Sequence, residues 1–174
     1  NDAGYHPIWR DPKSALLATK RIMDIANQAN RPLHILHISS ALEMKLLQGK
    51  SSLISVEVTR QHLTLYSPEC YNKLGTFAQM NPPIRSKHHQ KELWKGLFDG
   101  TIDCIATDHA PHTIQEKSNP YGSAPSGMPG VETSLPLMLN QVNKGKITLQ
   151  DIIKWMCENP AKIYQIKNKG FIKE

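Results

Sequence analysis

Along residues 11–30 the apolar positions Ala15, Leu16, Ile22, Met23 and Ala26 recur three and four apart, which predicts a helix with one buried face. Asp11 and Pro12 suit its start, the first as a capping acceptor and the second as a ring already shaped for the first turn. The pattern then becomes extended. "PLHILHIS" is a compact apolar run of the kind a buried parallel strand shows, and "SALEMKLLQGK" returns to helical spacing behind a Ser cap. "SLISVEVT" is β-rich, "QKELWKGLFDG" reads as a helix closed by Gly100, and "TIDCIAT" is a further strand. Such alternation predicts a parallel sheet with helical crossovers, the α/β class. Beyond it "NPYGSAPSGMPG" gathers Gly, Pro and Ser in a loop, and "ETSLPLMLNQVNKGK" and "TLQDIIKWMCENPAKIYQI" read as helices. No internal repeat or low-complexity tract interrupts the series.

Composition narrows the function classes. The 174 residues suit one domain or part of one, short of the roughly 250 of a closed α/β barrel. A hydrophobic fraction of 39% and a charged fraction of 21% are ordinary for a globular protein, and no apolar run nears the ~18 residues of a membrane span. The opening "NDAGYHPIWRDP" has neither the basic start nor the apolar stretch of a secretory signal. A start on Asn1 and an abrupt "GFIKE" close lead us to expect a piece of a longer polypeptide. Cys70, Cys104 and Cys157 are odd in number and outside any CxxC spacing, which argues against a disulfide framework or zinc knuckle and fits a reducing cytoplasm. The net charge of +6 is scattered without interleaved aromatic residues, so neither a nucleic-acid nor a membrane partner is expected.

Chemistry gathers at the strand ends. His34 and His37 lie three apart, so in an extended strand they point to opposite faces and only one belongs to a given site. Glu57 falls near the end of the next strand, with His62 just beyond; Asp108 follows the third directly, with His109 adjacent and His112 across Pro111. Parallel strands open their carboxyl ends on one side of the sheet, where imidazole and carboxylate together suit a divalent metal such as zinc. A metal lowers the pKa of bound water and a carboxylate beside it takes the proton, which is metal-assisted hydrolysis. The residues alone leave structural roles open: a turn or cap for Asp108, a satisfied core position for His37, loop decoration for His112, turn initiation for Asn81. His88 and His89, in the polar run "RSKHHQKE", read as solvated surface.

"DGTIDCIATDHAPH" resembles the signature of dihydroorotases, amidohydrolase-superfamily enzymes that interconvert L-dihydroorotate and N-carbamoyl-L-aspartate in pyrimidine synthesis. "LHILHIS", "VEVTRQHLTL", "MNPPIRS" and "GMPGVETSLPL" resemble further family blocks in the family's order, from about residue 10 to residue 162. The resemblance implies a metal-dependent hydrolase of TIM-barrel (β/α)8 architecture, of which residues 1–174 are the C-terminal portion of a single barrel domain. It implies that His37 is a metal ligand, with His34 facing away from the site. Asp108 is then both metal ligand and general base, later general acid toward the leaving nitrogen. Glu57 matches a position that reaches an additional zinc in some members. Asn81 and His112 match positions that hold the substrate's carboxylate or ring, and the backbone of Pro129 and Gly130 matches the loop that hydrogen-bonds the ring amides. The implied cofactor is zinc, one or two ions per site, and the implied partner is a small-molecule substrate.

The chain also departs from the family. The usual Pro-His before His62 is here Arg60-Gln61, so His62 is given no role. No His-x-His occurs, and the bridging lysine or aspartate and another histidine precede this region in the family. Only the later strands of a barrel are therefore expected, with an open edge that favours aggregation or a homo-oligomer. Alternative readings are an allantoinase or hydantoinase, from which His112 leans away, or a non-catalytic scaffold that binds aspartate carbamoyltransferase.

Overall fold

The computed structural model describes residues 2–172; Asn1 and the last two residues of "GFIKE" lie outside them. Strands β1 (Leu33–Ile35), β2 (Ile54–Thr59) and β3 (Cys104–Ala106) form, among the described residues, one parallel sheet in the order β1-β2-β3. Leu33 pairs with Ile54, and Glu57 with Cys104. A short helix α1 (His6–Trp9) precedes α2 (Pro12–Ala29), which leads into β1, and α3 (Ala41–Leu47) joins β1 to β2. Between β2 and β3 lie α4 (Arg60–Thr64), α5 (Glu69–Leu74) and α6 (Lys87–Asp99). After β3 come α7 (Ile114–Lys117), α8 (Val131–Asn143), α9 (Leu149–Ile153) and α10 (Asn159–Ile163).

Local chemistry sets the boundaries the sequence predicts. The Asp11 carboxylate accepts from Ser14 N at the start of α2, Ser40 caps α3 through Glu43 N, and Gly100 ends α6 in the left-handed conformation. One face of β2 carries Ile54, Val56 and Val58 into a core shared with Met23, Leu47, Leu93, Leu97 and Trp155. The opposite face carries Ser55, Glu57 and Thr59, polar groups that need partners of their own.

Two elements differ from expectation. The strand expected over residues 32–39 stops at Ile35: His37 turns to φ 36°, and Ile38 N then regains the sheet by donating to Glu57 O at 2.9 Å. The long last helix is broken by a π-helical segment, Lys154–Glu158, between α9 and α10. Pro160 has no N–H to give to the helical ladder, and the wider turn ahead of it places Asn159 Nδ2 2.6 Å from Asp103 O.

Candidate metal-hydrolase site

His37 and Asp108, both on strand exits, are two of the few non-glycine residues with positive φ, at 36° and 43°. Left-handed backbone costs an ordinary residue about 1–2 kcal/mol and is kept only where neighbours over-determine it. At Asp108 those neighbours are visible on both sides. The Thr107 carbonyl accepts from Arg60 Nη1 at 3.3 Å and Gln61 Nε2 at 3.1 Å. The His109 imidazole accepts at Nδ1 from Gly130 N at 2.9 Å and Val131 N at 3.2 Å, which fixes its proton on Nε2 and satisfies the start of α8.

The loop holding Pro129 and Gly130 is laced to the same segment. Ala110 N donates to Met128 O at 3.1 Å, and Arg60 Nη2 donates to Pro129 O at 2.6 Å. A Cβ on Gly130 would lie 2.7 Å from both Thr107 O and Arg60 Nη1, so only glycine lets these strands of chain approach. Lys117, nearly fully buried, donates its three protons to the carbonyls of Gln79, Pro125 and Gly127. His112 is exposed and meets Ser126 O at 3.2 Å.

Asn81 and the residue after it are held by two histidines that sequence reasoning left without a role. His6 Nε2 faces the Met80 carbonyl at 2.9 Å and Asn81 Oδ1 at 3.1 Å, so it is the donor and Nδ1 accepts from Tyr121 Oη at 3.1 Å. With Oδ1 engaged, the Asn81 amide is left to donate. Burial pushes the His6 pKa down, which preserves this neutral tautomer. His62 holds the next residue: Nε2 donates to Pro82 O at 3.1 Å while Nδ1 meets Thr59 Oγ1 at 2.7 Å. Complete burial pushes its pKa down to about 4. His37 and Asn81 share a cavity wall with Arg10, Ser14, Pro82 and Arg85. Arg85 is itself fixed on Ser39 Oγ and the Arg10 carbonyl, at 3.1 and 2.8 Å.

Glu57 is placed differently from the other candidates. Its Oε2 pairs with His34 Nε2 at 3.0 Å and its Oε1 accepts from the backbone N of His37 at 3.3 Å. Past Ile35 the chain leaves the strand, and Glu57 then bonds the His34 side chain and the His37 backbone, while His37 lines the cavity that holds Asn81. His34, Glu57 and Cys104 hold their potential ligand atoms within 4.8 Å of one another. His34 Nδ1 is already bonded to Ser55 Oγ at 2.7 Å, and burial pushes the Cys104 thiol up to about 12, so the imidazole is already partnered on both nitrogens and the thiol stays protonated. The structure thus gathers the candidates in three places: His37 with Asn81, Asp108 with Pro129 and Gly130, and Glu57 with His34. His89 is not solvated surface: Nδ1 accepts from Ala41 N at 2.9 Å.

An imidazole and a carboxylate on left-handed strand exits, beside loops rich in fixed backbone groups, form the kind of rim at which α/β proteins bind small ligands. Residues 19–174 match the amidohydrolase family, and the chain belongs to it. A dihydroorotase of Pyrococcus furiosus is 41% identical over 165 residues, covering 94% of this chain and 38% of the relative. A dihydroorotase of Carboxydothermus hydrogenoformans is 40% identical over 168 residues, covering 94% and 39%. An L-hydantoinase (dihydropyrimidinase) from Arthrobacter aurescens matches in structure with TM-score 0.85 at 31% identity, over 91% of this chain and 37% of that one. A D-hydantoinase structure matches with TM-score 0.88 at 25% identity, over 98% and 40%. The chain therefore spans about two fifths of the length of these relatives.

Proposed function

We propose that this chain is the later part of a dihydroorotase, which opens and closes the ring between L-dihydroorotate and N-carbamoyl-L-aspartate in pyrimidine synthesis. The carrying observation is Asp108 in "ATDHAPH", held left-handed at the exit of β3 and laced to the loop of Pro129 and Gly130. The names of the relatives support the same reading. Residues 1–174 are read as the C-terminal portion of one (β/α)8 barrel domain whose remaining strands lie in other chain material.

His37 and Asp108 offer the nitrogen and oxygen donors that suit zinc, one or two ions per site, with Glu57 as a further candidate. Catalytic zinc takes about three protein ligands, so donors outside these residues complete the set. A bound divalent metal supplies water of lowered pKa and a polarised carbonyl. Asp108 accepts one proton of the attacking water and returns it to the ring nitrogen as the C–N bond breaks, so Asp108 ends as it began and the second proton leaves with the ionising new carboxyl group. The free amide of Asn81 and the imidazole of His112 meet the substrate's carboxylate or ring, and the backbone at Pro129 and Gly130 meets the ring amides. The protein acts in the cytoplasm, as a homo-oligomer, on a small molecule; aspartate carbamoyltransferase is the partner on the scaffold alternative.

The test is made on the complete polypeptide, by measuring metal content and turnover of L-dihydroorotate and of hydantoin before and after Asp108→Asn. Bound zinc with dihydroorotate turnover that falls at least ~10³-fold in the variant supports the reading. Preference for hydantoin moves the protein to the hydantoinases. Absence of metal and of turnover on both substrates overturns catalysis and leaves the scaffold.

A further inference from the structure

Arg60 is almost fully buried and has no carboxylate partner among the described residues. Two of its guanidinium nitrogens bond neutral oxygens on two stretches of chain, Nη1 to Thr107 O at 3.3 Å and Nη2 to Pro129 O at 2.6 Å and Thr133 Oγ1 at 3.1 Å, while Nε is buried without a partner among the described residues. Gln61 adds a bond to the same Thr107 carbonyl at 3.1 Å. Burying a charge without a counter-charge is costly, and the cost falls here on one junction, a single residue before Asp108 and a single residue before Gly130. A planar fork can hold two carbonyls in fixed relation where a point charge cannot. The clearance at Gly130, where an added Cβ would sit 2.7 Å from Nη1, shows the guanidinium packed directly on that backbone.

We propose that Arg60 is a positioning residue that binds the exit of β3 and the loop of Pro129 and Gly130 into one body, setting Asp108 against the backbone that meets the substrate ring. Its effect on turnover rests on the dihydroorotase reading; the mechanical tie does not. Both are tested in the complete polypeptide with Arg60→Met, which keeps bulk and removes the fork, and Arg60→Lys, which reaches one carbonyl at a time. With metal content unchanged, Arg60→Met lowers kcat about 100-fold with a smaller change in KM, as a misplacement of roughly 1 Å does, and Arg60→Lys recovers part of the loss. In parallel, the amides of Ala110, Gly130 and Val131 exchange at least about tenfold faster in Arg60→Met, while those of α6 keep their protection.

Parental kcat and KM in a folded Arg60→Met protein overturn the positioning role. Unchanged exchange at either segment, or acceleration that spreads equally to α6, overturns the tie. Where the unsubstituted protein turns over neither cyclic amide, the dihydroorotase reading has failed and the exchange data alone decide the tie. If Arg60→Met does not fold, Arg60→Lys carries both comparisons, and exchange and kinetics identical to the parent refute the proposal.

Discussion

At the scale of single residues, Gly130 is a tightly constrained position beside Asp108. Its N–H is given to His109, and its missing side chain leaves room for Thr107 O and the Arg60 guanidinium. A methyl group there collides at 2.7 Å with a carbonyl on a strand exit that cannot retreat without moving Asp108. Gly130→Ala is therefore expected to destabilise the protein by about 1–3 kcal/mol, as overpacking does, and to lower turnover by more than that loss of stability explains. Chemical denaturation and steady-state kinetics on the same preparation separate the two effects; an unchanged midpoint with parental activity would refute the argument. The strand end just before Asp108 was legible in the sequence because the residues around it form a compact local motif. His6 was not, because its partners Met80 and Asn81 lie 74 and 75 residues away and nothing in "YHPIW" announces them. Arg60 and Lys117 were hidden for the same reason: each is a cation whose ties run to backbone carbonyls, and a sequence does not show which carbonyls lack a donor.

At the scale of elements, two histidines hold junctions only while neutral. His62, in α4, accepts at Nδ1 beside Thr59 and keeps the turn after Asn81; His89, in α6, accepts the first amide of α3. Burial pushes both pKa values down to about 4 from the ordinary 6.5, His89 with help from the Arg85 charge. Between those values the unfolded chain binds more protons than the folded one, so stability is full above pH 6.5 and is lost as pH falls toward 4. Calorimetry of the complete protein from pH 7 to 4.5 should show the melting temperature falling across this window. The slope should flatten in the His62→Gln, His89→Gln double variant; an equal slope in both proteins would assign the acid sensitivity elsewhere. The helix and strand series was readable from periodicity and caps, because those signals are local. The early end of β1 was not, since the turn at His37 is set by Ile38 reaching across to Glu57 O, a contact between elements. The opposite-faces argument for His34 and His37 holds only along an unbroken strand, and the chain leaves β1 between them.

At the scale of the whole molecule, the sheet of the described residues is narrow and its outer strands β1 and β3 each present an unpaired edge. Leu36, just past β1, is half exposed, and Leu17 and Ile25 add apolar surface on α2, which packs against that strand. Backbone donors on a bare edge beside apolar side chains form a template for pairing with other chain material. Relatives of this chain are more than twice as long, and on the barrel proposed above the rest of that sheet would occupy these edges. Residues 1–174 expressed alone should therefore self-associate at micromolar concentration, with a light-scattering mass above that of one chain and a broad melting transition. A monodisperse single chain with one sharp, cooperative melt would show that these edges and apolar faces are satisfied from within. The (β/α)8 assignment would then lose its physical basis, whatever the family resemblance, because a sheet that needs no further strands has no reason to close into a barrel.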